Sequence, residues 1–194
     1  MIWVAQGDAF SPEDEDKLKI PAPIHTLILD VPYEPMTWVN QIAHFKKMLD
    51  IAARVRPQNI LFWGNWVVYP AQLLAALHWD FYPRRQFVWA ADYREGVDRP
   101  IKSELIGHYQ KGPVDHMETY LLHGRLKDQT DRDHPEEKPT AIIEDILRIV
   151  GVESLYDPFA GSGNALKACQ TLNIPAYGME KDPEYFKRLK ERFS

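Results

Sequence analysis

Late in this chain an apolar run delivers an aspartate to a glycine turn: Leu155-Tyr156-Asp157-Pro158-Phe159-Ala160-Gly161-Ser162-Gly163-Asn164-Ala165-Leu166. A helix-forming segment follows at once. Glycines at that place let backbone approach a ligand closely, and the new helix offers free N–H groups at its start. The next apolar run, Pro175-Ala176-Tyr177-Gly178-Met179, ends in Glu180, 23 residues beyond Asp157. An acid at the tip of the second strand, roughly 20 residues after the turn, is where nucleotide-binding folds grip a ribose. Strand, turn, helix, strand and acid together point to a nucleoside ligand. No Lys-Ser or Lys-Thr pair follows the turn, which excludes a phosphate-cradling P-loop.

A second signal lies far upstream. Thr26-Leu27-Ile28-Leu29 reads as a buried strand running into Asp30-Val31-Pro32-Tyr33-Glu34-Pro35. The prolines stiffen this turn, and Pro32 pushes Val31 into an extended conformation. An acid and an aromatic are thereby held at the carboxyl end of a strand, where open parallel sheets bind their ligands. On the residues alone, a proline-rich turn that merely ends the strand is an equally open reading.

Between the two signals strand and helix alternate. Residues 36–55 carry Trp38, Ile42, Phe45, Leu49 and Ala52 or Ala53 at helical spacing, an aromatic stripe that belongs in a core. Residues 59–63 read as a strand, 71–78 as a helix and 85–90 as another strand. Such alternation implies a parallel α/β sheet covered on both faces. Residues 92–103 and 112–133 break the pattern, being polar, charged and irregular. The chain of 194 residues suits one domain spanning 1–194. Its single cysteine, Cys169, forms no internal disulfide, so a reducing cytoplasm is the default. On the helix after the glycine turn Cys169 reads as a packing residue. No run reaches membrane-spanning length, and His108, His116 and His123 show no metal-ligand spacing, so no metal is expected.

These motifs resemble the amino-group DNA methyltransferases that use S-adenosylmethionine, in the arrangement that places the catalytic tetrapeptide early and the cofactor loop late. Asp30-Val31-Pro32-Tyr33 is similar to the family's Asp-Pro-Pro-Tyr, with valine where proline is usual. Asp157 to Gly163 is similar to its cofactor loop, Asp-Pro-Phe-x-Gly-Ser-Gly. His134-Pro135-Glu136-Glu137-Lys138-Pro139 is similar to its His-Pro-x-x-Lys-Pro element. Phe87-Val88-Trp89 and Glu104 to Gly112 are similar to its last two strands, the second of which would run antiparallel. The resemblance implies a circularly permuted Rossmann-like methyltransferase fold, a mostly parallel sheet with helices on both faces. The sheet needs one more strand after the amphipathic helix at 182–192, and Met1-Ile2-Trp3-Val4-Ala5 would supply it, as expected of a complete permuted domain.

The resemblance further implies S-adenosyl-L-methionine as cofactor, bound by Asp8, Ala9, His134, Lys138, Asp157, Phe159, Ala160, Gly161, Ser162, Gly163, Asn164, Glu180 and Lys181. It implies DNA as partner, with adenine N6 as the methyl acceptor. Asp30 and the Val31 carbonyl would accept the amino group's N–H bonds. Tyr33 would stack on a base flipped out of the duplex, or presented in a single strand. Residues 92–103 and 112–133 fall where the family reads its target. They are short and the formal net charge is −5, so the field of the whole chain does not draw DNA in. Either relaxed sequence recognition or a homodimer follows. The alternatives are cytosine N4 or RNA as acceptor, and a homologue that binds without catalysis, motivated by Val31 and the acidic balance.

Overall fold

Two strands at the centre of the sheet, β2 (Thr26–Leu29) and β3 (Asn59–Gly64), are buried along their whole length. That burial needs helices on both faces. The computed structural model describes residues 1–30, 38–64, 68–90, 103–122 and 138–194. Around β2 and β3 it places β1 (Ile2–Gln6), α1 (Pro12–Glu15), α2 (Trp38–Val55), α3 (Tyr69–His78), β4 (Phe81–Ala90), β5 (Ser103–Lys111) and β6 (Glu118–Leu122). The later elements are α4 (Thr140–Val150), β7 (Leu155–Asp157), α5 (Asn164–Thr171), β8 (Ala176–Glu180) and α6 (Pro183–Arg192).

The strands form one sheet in the order β1-β8-β7-β2-β3-β5-β4-β6. Neighbours from β1 to β3 are parallel, with Ile2 opposite Ala176, Leu155 opposite Ala176, and Thr26 opposite both Leu155 and Asn59. Among the described strands β5 alone is reversed, antiparallel to β3 and β4. This is the permuted, mostly parallel sheet expected, with the N-terminal strand beside β8 and the antiparallel strand at β5.

Alternation along the strands sorts the core into two layers. Leu27, Leu29, Ile60, Phe62, Tyr156 and Met179 join the cluster under α2 and α3. Ile28, Leu61, Trp63, Leu155 and Ala176 join the one under α4, α5 and α6. In α2, Phe45, Leu49 and Ala52 are buried, whereas Ala53 is exposed. Trp38 and Ile42 have side chains outside the described set.

One sequence expectation needs correcting. Residues 112–133 are not irregular throughout, because β6 pairs in parallel with β4, from Arg85 opposite Glu118 to Trp89 opposite Leu122. The cause is local alternation. Tyr120 stacks on Phe87 with ring centroids 5.4 Å apart, and Leu122 reaches the core, while Thr119 and Leu121 face outward. Residues 123–133 and 91–102 lie outside the described residues.

A buried polar side chain gives the fold an acid-sensitive point. His108 on β5 is 1 % exposed, with Nε2 2.9 Å from Asn59 Oδ1 and Nδ1 3.4 Å from Arg85 Nη1. Nε2–H donating and Nδ1 accepting from a guanidinium describe a neutral imidazole. Burial, followed by the Arg85 and Arg84 charges, pushes its pKa down to about 3. An unfolded histidine takes its proton near pH ~6.5. The unfolded chain therefore binds more protons between these values, and stability is lost as pH falls from ~6.5 toward ~3. Urea melts should show that loss, with His108 contributing up to about 1.4 kcal/mol per pH unit. His108→Gln should flatten the slope; an unchanged slope would refute the assignment.

Candidate active site at the carboxyl ends of the strands

Strand order reverses between β7 and β2. β7 leads through α5 to β8 on one side, and β2 leads through α2 to β3 on the other. Ligands in such sheets bind in the crevice outside the carboxyl ends at this point. Asp157 ends β7, and Asp30 follows the last residue of β2. The two candidate sites read separately from the sequence thus share one crevice.

The glycine loop is tied down by its own backbone. Ala160 N–H donates to Met179 O at 2.9 Å, and Gly163 N–H donates to Ala160 O at 2.7 Å. Gly161 and Gly163 take φ of 51° and 83°, conformations that L side chains rarely adopt. Beside Gly161 a Cβ would meet only the Phe159 carbonyl, 3.9 Å away, so the loop leaves room there for a ligand. α5 then begins at Asn164.

Acids surround this loop. Glu180 accepts Gly161 N–H at 2.8 Å through Oε2 and Asp182 N–H at 2.7 Å through Oε1. It therefore shapes the glycine turn, a role its sequence position did not disclose. Beside it, Gly7 N–H donates to the Glu180 carbonyl at 3.0 Å, which brings the end of β1 alongside. Asp8 accepts Lys181 Nζ at 2.9 Å and Phe10 N–H at 3.0 Å. The Lys181 bond, then the Phe10 N–H, hold the Asp8 carboxyl below the usual range, and Asp8 in turn raises Lys181. Ala9 is 3 % exposed, with its carbonyl 2.7 Å from Arg54 Nη2.

Asp157 is 5 % exposed and accepts Phe159 N–H at 3.0 Å. Burial pushes its carboxyl up to about 8; the Phe159 N–H acts against this, and the charges of Asp30 and Glu180 add to it. A buried carboxyl facing the charges of two further acids gains from a cationic ligand.

Lys138 is held by an acid. Its ammonium lies 3.0 Å from Glu104 Oε2 and 5.8 Å from the centre of the Trp63 ring. Its backbone carbonyl accepts Asn164 Nδ2 at 2.7 Å, so the residue borders the start of α5. Glu104 also accepts the Trp63 indole N–H. Glu104 escaped the sequence reading because its partners come from β3 and residue 138, and no spacing announces them. Phe10 escaped it too, although its ring lies 5.7 Å from that of Phe159. Ala160 is buried, and Ser162 lies in the turn between the two glycines. Val31, Pro32, Tyr33 and His134 lie outside the described residues. Among the described residues no cluster of histidine, cysteine and acids could hold a metal, and no helix is long and apolar enough to cross a membrane. Cys169 is a free, buried packing residue.

Comparison with known proteins adds a family and a set of folds. The family model described as DNA methylase matches residues 88–191. No curated protein matches the chain. Among solved structures, the complex of M1.HpyAVI with SAM has a TM-score of 0.74 at 19% identity, covering 99% of this chain and 100% of that one. TTHA0409 of Thermus thermophilus, complexed with S-adenosyl-L-methionine, scores 0.73 at 15% identity over 100% and 93%. The cytosine-N4-specific PvuII DNA methyltransferase scores 0.71 at 12% identity over 100% and 86%. At such identities the likeness is one of fold.

Proposed function

Because the chain belongs to the N6/N4 DNA methylase family, whose model spans its residues 88–191, we propose that it transfers a methyl group from S-adenosyl-L-methionine to the N6 amino group of adenine in DNA. The observation that carries this reading is that Asp30 and Asp157 stand at the ends of neighbouring parallel strands at the strand-order reversal, where the charge of Asp30 acts on Asp157. Two solved proteins of this fold hold S-adenosyl-L-methionine.

The residues fit that cofactor. The open space beside Gly161 admits it, and the buried Asp157 carboxyl meets a positively charged ligand by giving up its proton. Glu180 has lone pairs left beside its two N–H contacts for ribose hydroxyls. Asp8 stands beside it at the end of β1, where the adenine would lie. Phe159, Ala160, Ser162 and Gly163 form the walls and floor of the loop, with Asn164 opening the helix behind it. Lys138, while still paired with Glu104, and His134 would contact the cofactor's carboxylate, whereas Lys181, bonded to Asp8, belongs to the adenine end. When bound, the cofactor supplies a methyl group already activated on a sulfonium.

The chain's own work is then alignment and charge. Asp30 and the Val31 carbonyl accept the two N–H bonds of the target amino group. That draws the nitrogen lone pair out of the ring and aims it at the methyl. As the nitrogen–methyl bond would form and the methyl–sulfur bond break, leaving a neutral thioether, the positive charge would pass to the amine. The Asp30 carboxylate would stabilise it most at that moment, before the extra proton passes to water. Tyr33 stacks on the base after it leaves the helix or arrives unpaired. The segments at 92–103 and 112–133 contact DNA around it.

Glu180→Ala tests the cofactor half. Two hydroxyls would lose an anionic acceptor, worth about 1.5–3 kcal/mol, and Gly161 N–H would lose its partner. Affinity measured by calorimetry should fall by at least about tenfold; unchanged affinity would remove Glu180 from the site.

The whole reading is tested by incubating the protein and labelled cofactor with double- and single-stranded DNA, then identifying the modified nucleoside by mass spectrometry. N6-methyladenine is expected. N4-methylcytosine would move the acceptor to cytosine, and label in RNA alone would move it off DNA. No product on any nucleic acid would leave a binding module.

A further inference from the structure

α6 grips the glycine loop at both of its ends. At its start, the Asp182 N–H shares the Glu180 carboxylate with the Gly161 N–H. In its last turn, Arg192 Nη1 donates to the Ser162 carbonyl at 2.5 Å, across 30 residues of chain. Between these points Leu189 is fully buried and lies against Gly163. A Cβ on Gly163 would sit 2.4 Å from Leu189 Cδ1 and 2.9 Å from Phe193 Cε2.

The Ser162–Gly163 peptide is therefore held from both sides. Its carbonyl is taken by Arg192, and its N–H by the Ala160 carbonyl at 2.7 Å. A peptide leading into a glycine at positive φ is the softest unit of such a turn, because glycine tolerates the flipped conformation. With both polar groups tied, flipping would break two hydrogen bonds, one of them from a charged donor.

From this geometry we infer that Arg192 is a positioning residue for cofactor binding, one that fixes the Ser162–Gly163 peptide so that the glycine loop is preformed for S-adenosyl-L-methionine. It touches neither the methyl group nor the base. Its effect belongs to binding, since a loop that must be ordered by the ligand weakens that ligand's affinity. The inference rests on the cofactor reading above.

The test compares wild type, Arg192→Ala and Arg192→Lys. Cofactor affinity is measured by calorimetry, kcat and KM for the cofactor on a DNA substrate, and thermal unfolding without ligand. Arg192→Ala should raise Kd and KM by about tenfold, with kcat at saturating cofactor within about twofold of wild type. S-adenosylhomocysteine should lose affinity by the same factor, because the loop does not sense the methyl. Arg192→Lys, which keeps one charged donor, should recover most of the loss. The unliganded melting temperature should fall by only about 2–4 °C in Arg192→Ala and recover in Arg192→Lys. Unchanged affinity in Arg192→Ala overturns the inference while leaving the cofactor reading intact. So does a loss of affinity that tracks a loss of melting temperature and is not rescued by lysine. A wild type that binds neither cofactor nor its demethylated form fails the cofactor reading itself, and the inference with it.

Discussion

Asp30→Ala should reduce methyl transfer by a factor on the order of 10³, while cofactor affinity stays near the wild-type value. The two halves of this expectation have separate causes. Asp30 follows β2, on the target side of the crevice, and the proposed cofactor contacts come from the ends of β1, β7 and β8. Removing the carboxylate takes away the acceptor that aligns the amino group and stabilises the cation formed on it. The same removal deletes one of the negative charges that raise Asp157, which eases the ionisation of Asp157 and offsets the lost attraction of Asp30 itself for a cationic cofactor. Asp30→Asn keeps one acceptor oxygen but no charge, and should fall between. Single-turnover rates at saturating cofactor separate chemistry from binding. Near-normal turnover by Asp30→Ala would end the proposed mechanism.

Replacing Asp157 by asparagine should act in two opposite directions. In the ligand-free protein the folded-state pKa of about 8 lies above the unfolded value of ~3.9. The native state then binds more protons over this interval. Stability from this group is fully present below pH ~4, falls as pH rises, and reaches its minimum above ~8. The decline has a ceiling of about 1.4 kcal/mol per pH unit. Asparagine keeps the oxygen that accepts Phe159 N–H and removes the titration, so Asp157→Asn should melt higher than wild type at pH 8 and differ little near pH 4. Its cofactor affinity should fall on the order of 10²-fold, as when one partner of a buried charge pair is lost. Wild-type binding near neutral pH should also release a proton, seen as a dependence of calorimetric heat on the buffer's ionisation enthalpy, and the variant should not. A variant that binds as tightly as wild type would show that Asp157 does not meet the cofactor's charge.

What the sequence disclosed was what is local in the chain. The glycine turn, its aspartate and Glu180 form one continuous strand–helix–strand unit, and each acts on neighbours within it. The four buried residues of β2 and the period of α2 were legible for the same reason. Even α1, which went unread, carried a local signal. Ser11 precedes Pro12 and three acids, and its hydroxyl accepts Asp14 N–H at 3.3 Å, the signature of a capped helix start. By contrast, Lys138 meets Glu104, Arg54 meets both Glu15 and the Ala9 carbonyl, and Arg192 meets Ser162 only after the sheet has assembled. Each is a long, charged side chain whose partner is chosen by tertiary position, and periodicity carries no record of that choice.

The strand order also governs how the chain is made. Among the described strands β1 has β8 as its one neighbour in the sheet, and β2 borders β7 on its outer side. A ribosome makes β1 long before β8, and β2 long before β7. Until β7 and β8 are made, β1 has no described neighbour and β2 is paired on one side only, with β3, and the Ile2–Ala176 pairing must close a very long loop. Such late, non-local pairing slows folding and exposes strand edges to other chains. Placing the cofactor loop after the other strands thus leaves the nascent sheet incomplete until β7 and β8 are made, and a chaperone that shields β1 and the open edge of β2 would raise yield more than one acting after that point.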